Sequence, residues 1–132
     1  MDGIPTISSN DFLRVMAEMK RQEGFLTEKR GIFGSLMSLK PGDEYYEHKE
    51  FLMKSDLDWI RFHTILIDLW KCGLKRDMES SIPLIYKLRD VVVKLQENNE
   101  LAVEYGIYNE KHYLHLCEKI KGEYNKWTEL ID

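Results

Sequence analysis

The chain has 132 residues, 43% hydrophobic and 32% charged, with a mean hydropathy of −0.44, the composition of one ordinary globular domain. This excludes a disordered tail, a collagen-like repeat and a disulfide-stapled mini-protein, and three prolines with eight glycines supply too few turns for an all-β sandwich. Nineteen Lys and Arg against 23 Asp and Glu leave a net charge of −4, which disfavours general binding to phosphate backbones.

The first element opens at Ser8-Ser9-Asn10-Asp11, a cluster of capping residues before an apolar run. Phe12, Met16 and Met19, with Val15 beside them, give it one apolar face, and Gly24 reads as its stop. Thr27 caps a second helix to about Leu39, so residues 1–40 form a helical pair. Gly31 and Gly34 inside that helix each cost about 1 kcal/mol against Ala, and mark either a break or a close crossing.

Lys40-Pro41-Gly42-Asp43 is the strongest punctuation in the chain, and Asp43 is placed to cap the next helix. Tyr45, Leu52, Trp59 and Leu66 then recur every seven residues, which predicts one long central helix over about 43–73 with Gly73 at its end. Ser55-Asp56-Leu57-Asp58 resembles a capping box and offers a break, but the seven-residue spacing keeps phase across it. Ser80 or Ser81 caps the helix after that, Pro83 suits its first turn, and Leu84, Leu88, Val91 and Leu95 form its stripe. Asn98-Asn99 end that run or cap a short helix through Tyr105, closed by Gly106. Asn109 caps the last helix, about 109–131, with the stripe Tyr113, Leu116, Ile120, Tyr124, Trp127, Ile131. The expected fold is all-α: a single domain, 1–132, folded as a compact bundle of five or six helices, with 43–132 as its main part.

Chemistry is harder to find. Cys72 and Cys117 stand 45 positions apart without a C-x-x-C pattern, which suits two thiols in a reducing compartment, cytoplasmic or nuclear. The N-terminus has no basic and apolar leader pattern, and the run from Trp59 to Trp70 is too short and too polar to enter a membrane. His112-x-x-His115 near Cys117 is the best metal candidate, and it would make the chain a metal-dependent bundle enzyme. Helical spacing turns His115 away from the apolar stripe and Cys117 towards it, so no convergence, no metal and no cofactor are expected. Phosphate-cradling glycine loops, a nucleophile elbow and a Glu-x-x-His pattern are all missing.

Two basic groups remain, Lys71, Lys75 and Arg76 around Gly73, and Lys20-Arg21 with Lys29-Arg30. Cations at a helix C-terminus offset its dipole; if the two groups met they would form a nucleic-acid-associated surface. The remaining signal is aromatic. Tyr105, Tyr108, Tyr113, Tyr124 and Trp127 crowd the C-terminal quarter, and Tyr and Trp are enriched at interface hot spots. The expected function is therefore a small non-enzymatic protein–protein interaction module: an adaptor, regulator, inhibitor or immunity-type factor. Its partner is another protein, including a second copy of this chain, and those aromatics are its candidate interface.

Overall fold

Three side chains fix the helix boundaries. Asp77 accepts the Ser80 N–H at 3.0 Å and opens one helix; Asn109 accepts the His112 N–H at 2.8 Å and opens another. Lys49 closes a third: its ammonium donates to the Met37 and Leu39 carbonyls at 2.9 and 3.0 Å, at the negative end of the preceding helix dipole. The structure is a computed structural model and describes residues 9–75 and 77–128. Within it lie four α-helices: α1 Ser9–Met37, α2 Lys49–Lys75, α3 Met78–Glu104 and α4 Glu110–Thr128. A single 3₁₀ turn, Tyr46–His48, precedes α2.

Four helices replace the expected five or six, because two predicted stops are read through. Gly24 does not end α1; Gln22 and Leu26 on either side of it are buried, and that packing outweighs the weak propensity of one glycine. The N-terminal pair is thus one helix. Asn98-Asn99 do not end α3 either, since Asn98 Nδ2 donates to Asp58 Oδ2 at 2.8 Å across the α2–α3 contact and Asn99 is fully buried. The chain leaves α3 only at Gly106, φ 75°, where the Gly106 N–H bonds the Val103 carbonyl and the Ile107 N–H bonds that of Ala102. This is the Schellman arrangement that a left-handed glycine permits.

The central helix is also shorter at its start. Asp43 accepts the Lys40 N–H at 2.8 Å, so it closes the Pro41-Gly42 turn and does not cap a helix. Tyr45 then adopts a left-handed φ of 68°, and α2 begins only at Lys49. No break occurs at Ser55, whose neighbours Asp56 and Asp58 are buried within the helix, and α2 passes Gly73 to Lys75. At 27 residues it equals α3 and is shorter than the 29 of α1, so no single helix dominates the bundle. The last helix begins where Asn109 places it, while Ile131 lies outside the described residues.

One core draws on all four helices: Val15 from α1, Trp59, Phe62, Leu66 and Leu69 from α2, Leu88, Val92 and Leu95 from α3, and Ile120 and Trp127 from α4. Helices pack in chain order, α1 on α2, α2 on α3, α3 on α4. No described Cα of α1 comes within 8 Å of one in α4. The bundle is closed there by long side chains alone. Among the described residues no helix is long and apolar enough to cross a membrane.

Candidate functional site

Along α1 the buried line is Val15, Gln22 and Leu26 with Met19 packed against the core, steps of four, three and four that bring a glutamine into the interior. Along α4 the equivalent line is Leu116, Ile120, Glu123, Trp127, which brings in a carboxylate. His63 of α2, fully buried, sits beneath both. Gln22 Nε2 donates to Glu123 Oε2 at 2.7 Å, and Gln22 Oε1 lies 2.7 Å from His63 Nδ1. An amide oxygen can only accept, so His63 carries its proton on Nδ1 and presents a bare lone pair at Nε2. That lone pair is buried and has no partner. Burial, followed by the charges of Lys119, Lys29 and Arg21, pushes the His63 pKa down to about 3, so the ring is neutral. Arg21 completes the network, donating to Glu123 Oε1 at 2.7 Å and to Glu18 at 2.8 Å.

Around this line stands a box of rings. His63 stacks on Phe25 at 5.2 Å and on Trp59 at 6.0 Å, with Phe62 edge-on at 5.2 Å. Lys119 holds its ammonium 4.0 Å from the Phe25 centroid and 5.4 Å from that of Trp59, while Lys29 lies 5.3 Å from Trp59. Burial, then the neighbouring Lys29 charge, lowers the Lys119 pKa. Asp56, on the same side of α2, is buried with an unpartnered Oδ2, and that burial raises its pKa to about 6 against the opposing pull of Lys29. Desolvation, with Asp56 adding to it, likewise raises the Tyr108 phenol.

A different surface forms where α1 ends. After Leu26 no residue of α1 is buried, although the apolar Ile32, Phe33, Leu36, Met37 and Leu39 lie beyond it. Ile32 is 38% exposed and Met37 56%. Glu28, Gly31, Ile32, Ser35, Leu36 and Leu39 line one side of a shallow groove that Glu44 and Tyr45 close on the other. A Cβ built on Gly31 or Gly34 meets nothing within 4 Å, so neither glycine serves a close approach inside this chain.

The residues singled out in the sequence are dispersed. Trp127 is 1% exposed and packs edge-on against Trp70 at 5.0 Å, which places it in the core and takes it out of the candidate interface. Tyr108 and Tyr124 are half-buried against the same core. Tyr105, exposed, stacks on His48 at 5.0 Å at the opposite end of α4 from Trp127. Tyr113 lines a separate groove with Val103 and Leu114. The five aromatics therefore form no common face.

The other candidates scatter as well. His112 and His115 are exposed, Cys117 is half-buried, and among the described residues no three His, Cys, Asp or Glu are grouped to hold a metal ion. Lys71 and Lys75 are exposed near the end of α2, while Arg76 lies outside the described residues. Lys71 is twelve residues from Trp59, the ring that Lys29 covers, or about 18 Å along α2, which sets it apart from Lys29, and Arg21 is taken up by Glu18 and Glu123. The polar line escapes a reading of the sequence because Gln22, His63 and Glu123 are hydrophilic. Their signal is positional: Gln22 lies four before Leu26 and seven after Val15, and Glu123 lies between Ile120 and Trp127 on one stripe.

Comparison of the chain with protein-family models, with curated proteins and with solved structures found no significant match.

Proposed function

We propose that the chain is a protein-interaction module, without catalytic activity of its own, that receives a helix of its partner on the C-terminal part of α1. The observation that carries this reading is the run Ile32, Phe33, Leu36, Met37, Leu39: five large apolar residues, none of them buried. In α2, α3 and α4 the apolar stripes supply the core, and an apolar patch left open on a small protein is a common mark of a binding surface. Ile32 and Leu36 stand at i and i+4 on one side of α1, and Leu39, just past the end of the helix, lines the same groove, an arrangement suited to a helix-in-groove contact. Gly31 and Gly34 add to this support. They weaken α1 with no return inside the chain, and a missing Cβ lets a second helix approach closely.

The test replaces Ile32 and Leu36 by Asp together and measures both unfolding and partner capture from the native host, identified by mass spectrometry. The expected outcome is a melting temperature within a few degrees of the parent and loss of the captured protein. A fall in stability of core-mutation size, or undiminished capture, would remove α1 as the docking surface.

A further inference from the structure

We infer that Lys29 and Lys119 form a binding site for a phosphate-class oxyanion above the Trp59 ring, in the seam between α1 and α4. The seam is held by side chains alone, with no described Cα of α1 within 8 Å of α4. Two ammoniums enter it from opposite helices and stop at 5.3 and 5.4 Å from the same indole centroid. Lys119 is half-buried and touches the Phe25 ring face as well, at 4.0 Å. Among the described residues neither lysine forms an ion pair.

Two ammoniums held this close to one buried ring repel each other, Lys29 lowering the Lys119 pKa, and an anion between them would relieve that repulsion. Cation–ring contact offsets part of the cost but supplies no counter-charge. The carboxylates nearby do not meet the need. Glu123 is engaged by Arg21, by Gln22 and, at 3.6 Å, by Lys126. Glu28 draws on Lys119 electrostatically but forms no ion pair with it, and Asp56, though drawn on by Lys29, is buried. A doubly charged oxyanion matches two ammoniums in charge, and its oxygens accept from both at once. Arg21, about two turns before Lys29 along α1, adds to the positive potential felt by Lys119 while its own guanidinium is held by Glu18 and Glu123. The site is separate from the docking face and does not depend on it.

The experiment titrates the whole protein with inorganic phosphate, and separately with phosphoserine, against chloride at matched ionic strength. Melting temperature and tryptophan fluorescence are measured in the parent and in the Lys29→Gln, Lys119→Gln and Lys71→Gln variants. The Gln side chains keep part of the methylene stem, and far-UV circular dichroism reports whether each variant is folded. The expected result is a saturable rise in melting temperature of several degrees in the parent and in Lys71→Gln, reduced at least fivefold in Lys29→Gln and Lys119→Gln. Saturation with phosphoserine alone assigns the oxyanion to an organic carrier; saturation with both assigns it to the free ion as well. An equal rise in all four proteins makes the effect a general salt response and overturns the site. So does the absence of any saturable response in the parent up to about 20 mM of either probe, well above the affinities expected of a two-cation site.

Discussion

Lowering the pH addresses His63 directly. Its ordinary pKa is 6.5, and in the folded protein burial holds it at about 3. Below pH 6.5 the unfolded chain therefore takes up a proton that the folded chain refuses, so stability falls as the pH falls, across the window from 6.5 down to about 3. Each pH unit is worth about 1.36 kcal/mol once the unfolded histidine is fully protonated, and at pH 6.5 it is only half so, which makes the drop from pH 6.5 to 4.5 worth about 2 kcal/mol. Asp56 works in the opposite sense: with its pKa raised to about 6, the folded state gains protons that the unfolded state lacks. The assay must separate the two. Urea unfolding is measured at both pH values in the parent and in His63→Gln, which share Asp56 and every other titrating group. The parent is expected to lose about 2 kcal/mol more than the variant over the interval. Parallel pH dependences would mean that His63 is solvated or that its Nε2 is satisfied, and would refute the neutral buried ring.

Asp56→Asn should stabilise the protein at pH 8, where the parent must hold a buried carboxylate charged, and the gain should shrink as the pH falls through about 6 towards the ordinary 3.8, so that at pH 5 it is roughly half its value at pH 8; urea midpoints at the two pH values give the answer. Trp127→Ala should cost about 3–5 kcal/mol without changing partner capture or oligomeric state, as expected of a core residue and not of an interface anchor. Gly24→Ala should stabilise by about 1 kcal/mol, because α1 runs through this position and a Cβ there meets nothing; a destabilised variant by thermal melting would contradict a continuous α1.

Periodicity carries the helical class and most of the core. Trp59, Phe62, Leu66 and Leu69 are all buried, as are Leu88, Val91 and Leu95, because repeated apolar spacing reports the inward face whatever the neighbouring helices do. Boundaries are legible where a local bond makes them, at Asn109 and Gly106. They are not legible at Gly24 and Asn98-Asn99, where residues that disfavour a helix locally are carried through by contacts with a different helix. The face of α1 is misplaced for a related reason. Phe12 and Met16, apolar and expected inside, are 45% and 43% exposed, while Gln22 is fully buried. Only the partners of Gln22, His63 and Glu123, 41 and 101 residues away, make that burial favourable, and a single-helix pattern cannot contain them. The aromatic cluster at the C-terminus is visible as composition but not as geometry, since Tyr105 precedes α4 at the end of α3 and Trp127 stands at the far end of α4.

The docking surface on α1 is tested most directly by site-specific photo-crosslinking. A photoreactive residue is placed at Leu36, and as a control at Tyr86, which is 53% exposed on α3, and each protein is irradiated in host extract. A single adduct from position 36 that position 86 does not give, suppressed by adding Ile32→Asp to the same chain, is the predicted result. Equal labelling from both positions, or a specific adduct from position 86 alone, would contradict it.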